Sequence, residues 1–466
     1  MALAIRLVMS IPFIWHPGMS LPAYGDAIGY HRIALNLLAG HGFSLYPHPP
    51  FIPDCFRTPA FPLLLAFLYK TLSPSPIWGI LANDLLAAAT ALLVYLMLKD
   101  RWPRGALLAG FLYAFNPLSL VYCQEIMTET LFTFSLVLGL FLLFWPAWEF
   151  AWKRRTGTGR PPILLLEKEQ RFSWLLALGG GLCLGLAALT RPVGLYLPAL
   201  ILPFAKHRWH IALGGFAAAV LPWFLRNWLV YGMPFFSTVE WVNMAYYNGA
   251  AVVSAQLGIT LRQADIVIFN EASDKYGWGA RAKDEDDIWL FEENPRKWRL
   301  LAEIGFGHIL RNPALYFSEH MKGTLGLLGP VHPYRLPAVY GHNLFLVGKR
   351  VGSGPELFGL MVKKGPVALI FKMFEGVPCW GTVFWIAAFL YQLALYALAT
   401  LGFIRNSREP FAWLLALVAL YFMLIPGPMA VPRMRHPADP MLVMLAGMFF
   451  VYRAAGEIGR RYRTAT

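Results

Sequence analysis

Cysteine and charge are both scarce in this chain of 466 residues. Its four cysteines are scattered without a CxxC spacing, which excludes a disulfide scaffold and a cysteine-based zinc site. Charged residues make up only 14% of the chain and hydrophobic residues 57%, a balance that a water-solvated surface does not tolerate. These absences exclude a soluble globular protein. We expect free thiols in the core or in loops, with a bridge between Cys55 and Cys123 as the alternative.

The charges that are present are mostly basic, with 40 Lys and Arg against 26 Asp and Glu and a formal net charge of +14. A basic balance can indicate nucleic-acid binding, but no basic stripe with interleaved aromatic residues is found. In a membrane protein, surplus Lys and Arg instead mark cytoplasmic loops and helix ends. The composition therefore predicts an all-α polytopic membrane protein that does not bind nucleic acid.

Apolar runs that can cross roughly 30 Å of hydrocarbon recur along the chain. Cutting the sequence where these runs end in charge predicts about ten transmembrane helices. The predicted spans lie near residues 1–15, 77–98, 105–122, 130–148, 173–190, 193–205, 209–225, 380–404, 411–428 and 437–453. The first span is short, as expected for a truncated start or an uncleaved signal-like anchor.

Basic residues are divided unequally between the two sets of short loops, with seventeen in one set and seven in the other. The positive-inside rule places the rich set and both termini in the cytoplasm. Residues 59–73 are interpreted as a helix lying in the membrane interface, because a further span there would invert every later loop. The other face, periplasmic or extracellular, then carries the loop 16–76 and the long stretch 231–378.

Three parts follow from this topology. Residues 1–230 form an N-terminal transmembrane module that includes the loop 16–76, and residues 379–466 form the C-terminal transmembrane helices. Residues 231–378 are predicted to form a mixed, soluble insert on the outer face. Amphipathic stretches at 300–310 and 314–328 within it indicate helices.

The loop 16–76 carries a carboxylate at an unusual place. Helical spacing from Asp26 to Asn36 predicts an amphipathic helix that begins at Asp26. The carboxylate there is either a helix cap or a reacting group. Glu125 and Glu129, at the outer mouth of the fourth predicted span, leave the same choice open.

Five arginines lie where predicted helices meet the outer face, on which the topology rule disfavours them. Snorkelling to lipid headgroups explains any single one. Five of them among carboxylates indicate a shared anionic ligand, because guanidinium groups match phosphate oxygens in pairs. The five are Arg57, Arg191, Arg226, Arg433 and Arg435. A phosphorylated lipid with its activated group near Asp26 fits this pattern.

The motifs resemble those of the GT-C glycosyltransferases, specifically glycosyltransferase family 39 with its aminoarabinose transferases and protein mannosyltransferases. The resemblance covers most of the chain. It is carried by Asp26 with Tyr30, Arg57-Thr58-Pro59, Thr128-Glu129-Thr130, Thr190-Arg191-Pro192, Pro222-Trp223 with Arg226-Asn227, and Arg433-Met434-Arg435-His436-Pro437. The chain departs from the mannosyltransferases at Ala27, where they have a second acid, and from many aminoarabinose transferases at Arg57, where they have lysine.

This resemblance implies a GT-C fold and a polyprenyl-phosphate-linked sugar donor, with a lipid, glycan or protein as acceptor. It implies that Asp26 is the catalytic base, that Glu129 is an acidic catalytic residue in the same cavity, and that Arg57 and Arg191 hold phosphate. Four further residues are expected to line the cavity: Tyr30, Glu125, Asn227 and His436. No cofactor is expected, and a divalent metal is the alternative, since four histidines crowd the first loop without a standard ligand spacing.

Two other classes of function are weighed against glycosyl transfer. A polyprenyl-lipid or glycolipid transporter would also have an arginine-lined cavity, but would be expected to carry charges near the bilayer midplane and related halves. A receptor-like or structural subunit would leave the ordered carboxylates and arginines without a role. A glycosyltransferase in the cell membrane, with its site facing outward, is therefore the predicted function.

Overall fold

The structure, a computed structural model, describes residues 1–16, 25–156, 163–288, 294–333, 335–340, 360, 362–365, 368 and 371–450. These ranges consist of helices and connecting turns. They contain no β-strand, and the one isolated bridge joins Ser44 and Pro53. The predicted all-α class is thus confirmed for the described part of the chain. Residues 451–453 of the last predicted span, and the basic tail after them, lie outside it.

The helices are given in chain order under the three parts that the sequence predicts. The first part contains α1 (Ala2–Trp15), α2 (Asp26–Leu38), α3 (Ala60–Thr71), α4 (Ile77–Leu98), α5 (Pro103–Ala114), α6 (Pro117–Tyr122), α7 (Glu129–Thr156), α8 (Ile163–Thr190), α9 (Leu197–Ile201) and α10 (Trp209–Tyr231). The insert contains α11 (Val239–Val242), α12 (Ala250–Leu257), α13 (Leu261–Tyr276), α14 (Glu285–Ile288), α15 (Pro295–Arg311), α16 (Pro313–Leu327) and α17 (Arg335–Val339). The last part contains α18 (Cys379–Arg405), α19 (Pro410–Leu424) and α20 (Asp439–Met448).

Within the described residues, three helices are long and apolar enough to cross a membrane alone: α4, α10 and α18. Large apolar side chains on these helices face outward: Leu229 is 78% exposed, Val383 67% and Leu390 59%. Lipid contact accounts for such surfaces, since water would not. The chain is a membrane protein. Several other predicted spans correspond to shorter apolar helices, so the count of ten and the orientation stay predictions.

Two predicted spans are wrong as continuous helices. The run 105–122 is divided into α5 and α6, because the Asn116 side chain accepts a hydrogen bond from the Ser119 N–H and starts a new helix with Pro117 as its first residue. The run 193–205 is divided into the 3₁₀ helix Pro192–Tyr196, α9 and the 3₁₀ helix Leu202–Arg208. Prolines at the start of each short piece break the α-helical hydrogen bonding there.

Small residues allow α8 and α10 to pack backbone against backbone. A methyl group on Gly181 would lie 1.9 Å from the carbonyl oxygen of Ala212, and one on Gly215 would lie 2.3 Å from that of Leu178. Helices in membranes associate through such close approaches. This packing fixes α8, which ends one residue before Arg191, against α10, which contains Arg226.

The described part of the insert contains helices and turns, and the strands that a mixed structure would need are not found in it. The predicted amphipathic stretches are confirmed as α15 and α16. Trp298 is fully buried and meets Tyr246 edge to face at 5.6 Å, at the centre of a separate apolar cluster. Helices α11–α12 and α13 are together apolar enough for a span but bend by 106°, at Gly258 with φ of +64°.

Candidate active site

Helix α2 begins at Asp26, as the spacing predicts, but Asp26 does not cap it. Gly25 occupies the cap position, and no side chain caps the helix. The Asp26 carboxylate instead lies 3.2 Å from Nη2 of Arg433, and its side chain is 38% exposed. The structure therefore gives Asp26 a long-range ionic partner and an open approach.

Glu129 is the first residue of α7, and its side chain is only 1% exposed. One carboxylate oxygen lies 2.5 Å from Nη1 of Arg191 and 3.8 Å from Nε of Arg433. The same Arg191 nitrogen donates to Thr128 Oγ1 at 3.2 Å. Two adjacent cations keep a buried carboxylate ionised. Its other oxygen is buried without a hydrogen-bond partner among the described residues.

Arg433 joins the two carboxylates. It lies in the 3₁₀ helix Pro432–Ala438, and its side chain is 28% exposed. Asp26, Glu129, Arg191 and Arg433 thus come together from four distant parts of the sequence. We call this group the charge cluster. Asp26 forms its exposed rim and Glu129 forms its buried floor.

Arg57 approaches the same cluster over α2. A methyl group on Gly29 would lie 2.5 Å from its guanidinium carbon, so the guanidinium lies directly on the helix backbone. It also lies over the Tyr30 ring at 5.7 Å and 3.6 Å from the Asp54 carboxylate. Burial and then the charge of Asp26 raise the pKa of Tyr30 to about 12. Because Arg57, Arg191 and Glu129 also act on this phenol, Tyr30 lies within the charge cluster.

Arg226 holds the first loop and does not point into the cluster. It donates to the Asp54 carbonyl at 2.9 Å and lies over the Trp223 ring at 4.8 Å. Its neighbour Asn227 is fully buried and donates to the carbonyls of Phe235 and Phe236. Neither side chain lines the group around Asp26 and Glu129.

Arg435 is also placed differently from the prediction. Its side chain is 1% exposed, and it donates to Asp439, the carbonyls of Leu327 and Gly329, Tyr396 and Gln392. These contacts orient the guanidinium toward the insert and the C-terminal helices, and none of them is to Asp26 or Glu129. His436 is fully buried, with Nδ1 2.8 Å from Thr133 Oγ1. Since Thr133 is one turn after Glu129 on α7, His436 lies beside the floor of the cluster.

Glu125 pairs with Arg335, a residue that sequence reasoning missed. Nε of Arg335 donates to Glu125 Oε1 at 2.8 Å, and Nη2 contacts the other oxygen. The two residues are 210 positions apart. Nothing in the sequence around Arg335 distinguishes it from other basic residues of the insert.

Two polar residues inside α4 hold the loop before α7, and these were also missed. Asn83 donates to the Glu125 carbonyl at 2.8 Å. Asp84 accepts from Gln124 at 2.9 Å and from Ser10 at 2.5 Å. A signal was present, because consecutive polar residues interrupt an otherwise apolar run.

The alternatives of a metal site and of a disulfide concern the His, Cys, Asp and Glu side chains. Among the described residues, no three or more His, Cys, Asp or Glu side chains lie together as a metal site. No disulfide joins the described cysteines, which are Cys55, Cys123, Cys183 and Cys379.

No protein-family model and no curated protein matches this sequence. In structure the chain is similar to the Archaeoglobus fulgidus oligosaccharyltransferase in its apo form, with 14% identity and a TM-score of 0.41, over 100% of this chain and 51% of that one. It is also similar to ArnT from Cupriavidus metallidurans bound to undecaprenyl phosphate, with 14% identity and a TM-score of 0.40, over 99% of this chain and 79% of that one. The chain thus spans about half the length of the archaeal protein.

Proposed function

We propose that the protein is a membrane glycosyltransferase that moves a sugar from a polyprenyl-phosphate donor to an acceptor at the outer face of the membrane. The observation that carries the proposal is the position of Arg433 between Asp26 and Glu129, at 3.2 and 3.8 Å. It combines an accessible carboxylate with a cation that a phosphate can recruit. The motifs that resemble glycosyltransferase family 39 supply these residues.

The two carboxylates have different roles in this proposal because they differ in exposure. Asp26 is 38% exposed, so an acceptor hydroxyl or amine can reach it. Glu129 is 1% exposed and cannot meet an acceptor directly. Its role is to hold Arg191 and Arg433 at the place where the donor phosphate binds.

The reaction is a single displacement at the anomeric carbon. Asp26 takes the acceptor proton while the acceptor oxygen or nitrogen forms a bond to that carbon. The bond from the carbon to the phosphate oxygen breaks, its electron pair leaves with the lipid phosphate, and the configuration inverts. The leaving group is already a stable anion, so the site needs cations to stabilise charge and no general acid. This differs from the paired carboxylic acids of a glycoside hydrolase.

Three arginines are assigned to the donor phosphate: Arg57, Arg191 and Arg433. Arg433 is shared by two carboxylates. When phosphate binds, it takes over Arg433 from Asp26, and the freed carboxylate becomes a better base. Arg226 and Arg435 are left out of this set, because Arg226 contacts the first loop and Arg435 contacts α16, α18 and α20.

A transporter is the second candidate, and charges inside its helices would favour it. Arg6 and Asp84 do lie within apolar helices, but both are fully buried. Arg6 donates to the Ala114 carbonyl and to Ser119, and Asp84 accepts from Ser10 and Gln124. Such enclosed, bonded groups favour a structural role over an ion or lipid path.

The test is sugar transfer by the purified full chain in lipid nanodiscs, with a panel of polyprenyl-phosphate sugars and of lipid, glycan and peptide acceptors. We expect wild-type transfer and a loss of at least about 100-fold in Asp26→Asn, with donor binding retained. The matched control is Asp100→Asn, on an exposed turn after α4. Full activity in Asp26→Asn would overturn the role of the base. No transfer with any donor, together with measurable lipid translocation, would favour the transporter.

A further inference from the structure

Helix α17 of the insert reaches the loop that carries Glu125. Arg335, the first residue of α17, forms two parallel contacts with the Glu125 carboxylate, one of them 2.8 Å long. A two-pronged contact of this kind fixes orientation as well as distance, which a single point charge does not. It is a direct ionic link between the insert and the loop before α7.

This pair is largely buried against apolar and aromatic side chains. The Arg335 side chain is 23% exposed and that of Glu125 is 12% exposed. The guanidinium lies over the Tyr122 ring at 5.5 Å, and Leu336 belongs to a buried apolar cluster with Leu118 and Val121. Breaking a partly desolvated pair leaves an uncompensated charge, which costs more than breaking an exposed pair on a protein surface.

The loop is held from its other side as well. Asn83 in α4 donates to the Glu125 carbonyl at 2.8 Å and contacts that of Met127 at 3.4 Å. The backbone and the side chain of Glu125 are therefore fixed by different helices. Glu129 follows four residues later, so any shift of this loop is passed to the start of α7.

The pair also lies within electrostatic reach of the proposed active site. Arg335 and Glu125 both interact with the charge of Arg433, and Glu125 interacts with that of Glu129. If Glu125 lost its partner, it would become an uncompensated carboxylate close to Arg433. It would then compete with Asp26 and Glu129 for that guanidinium.

We propose that Arg335 is a positioning residue, the contact through which the insert sets the loop Cys123–Thr128 and keeps Arg433 on Asp26 and Glu129. The inference rests on the proposed function and adds a defined role for the insert in it. Arg335 touches neither donor nor acceptor. Docking of α17 is required for an ordered site, so the insert and the chemistry are coupled through one ion pair.

The test compares Arg335→Met, Glu125→Gln and the double variant in the full chain. Each should lower kcat by about 100-fold, the loss that a misplacement of about 1 Å can cause, while the KM for the donor changes much less. The double variant should lose no more than Arg335→Met, because both changes remove the same contact. Arg281→Met is the matched control, since Arg281 pairs with Asp274 in the same insert but is 67% exposed.

A second measurement does not depend on activity. Amide hydrogen exchange in residues 123–130 should be faster in Arg335→Met than in the wild type and unchanged in Arg281→Met. Arg335→Lys, which keeps the charge without the two-pronged contact, should give an intermediate rate and serves if the Met variant does not fold. Wild-type exchange and wild-type kcat in Arg335→Met would overturn the inference. Faster exchange in a chain without transferase activity would support the contact and refute the proposed function alone.

Discussion

Arg433 holds Asp26 and Glu129 at once, 3.2 Å from the first and 3.8 Å from the second. The first belongs to the rim of the charge cluster and the second to its floor. One guanidinium can reach both because its nitrogens point in fixed, different directions. This contact connects the first loop, the start of α7 and the C-terminal segment.

Replacing Arg433 should therefore affect catalysis more than folding. We expect Arg433→Gln to lower kcat/KM by at least about 30-fold, as for loss of one partner of a buried charge pair. Arg433→Lys should recover only part of this loss, because one ammonium group cannot take up both geometries. Arg408→Gln, on an exposed turn, is the control. Measuring kcat/KM and thermal stability for each variant distinguishes a loss of catalysis from a loss of folding. Full recovery of kcat/KM in Arg433→Lys would contradict the shared contact.

Gly29 is predicted to be required for the position of Arg57. In Gly29→Ala the new methyl group would lie 2.5 Å from the Arg57 guanidinium carbon, which must move. Alanine favours a helix over glycine by about 1 kcal/mol, so the variant should fold at least as well as the wild type. We expect its KM for the donor to rise about tenfold, an estimate for loss of one phosphate contact. Gly214→Ala, which meets nothing within 4 Å, should leave the KM unchanged.

An additional comparison isolates Arg57 as the cause. If Gly29→Ala acts by displacing Arg57, then Arg57→Ala should add little in the Gly29→Ala background. Additive losses in the double variant would show that the methyl group acts elsewhere.

Tyr30 is predicted to act as a neutral hydrogen-bond donor. Burial, followed by the nearby charge of Asp26, raises the pKa of its phenol to about 12. A raised pKa keeps the proton on the phenol until the pH approaches that value, so Tyr30 stays neutral up to about pH 10. Tyr30→Phe should lower kcat/KM by about tenfold, the effect of one lost hydrogen bond, without moving the alkaline limb of the pH–rate profile. A limb below about pH 10 that disappears in Tyr30→Phe would contradict this assignment.

Local patterns predicted much of the fold. The helical period from Asp26 to Asn36 and the amphipathic pattern at 300–310 are each contained within one helix, so neighbouring residues suffice to reveal them. The break before Pro117 was missed because apolar residues continue on both sides of it. Hydropathy records the length of a run and does not record a change in its direction.

The arginines illustrate what a single sequence cannot decide. Arg226 and Arg433 lie in similar settings at the ends of helices. Arg226 nevertheless donates to a carbonyl of the first loop, whereas Arg433 contacts two carboxylates. The direction of each side chain depends on backbone turns that tertiary packing determines. Arg335 was harder still, because its partner is 210 residues away. Asp84, by contrast, could have been identified as an ionisable residue inside an apolar run.

Arg435 is the residue at which a ligand-binding role and a structural role predict the most different results. It is 1% exposed and donates to five groups, among them Asp439 at 3.1 Å and the Leu327 carbonyl at 2.8 Å. Arg435→Met leaves these acceptors buried without their donor, and loss of one partner of such a pair costs about 3–5 kcal/mol. We expect a large fall in folded yield and thermal stability, with normal donor KM in the molecules that fold.

Arg435→Met is therefore predicted to lower stability and to leave donor binding intact, whereas Arg433→Gln lowers catalysis more than folding. The two variants control for each other. Removing Asp439 as well, in Arg435→Met with Asp439→Leu, should restore part of the stability, because the uncompensated buried carboxylate is then absent. Thermal unfolding in nanodiscs measures this directly. A stable Arg435→Met that has lost donor binding would instead return Arg435 to the phosphate site that its position in the sequence predicts.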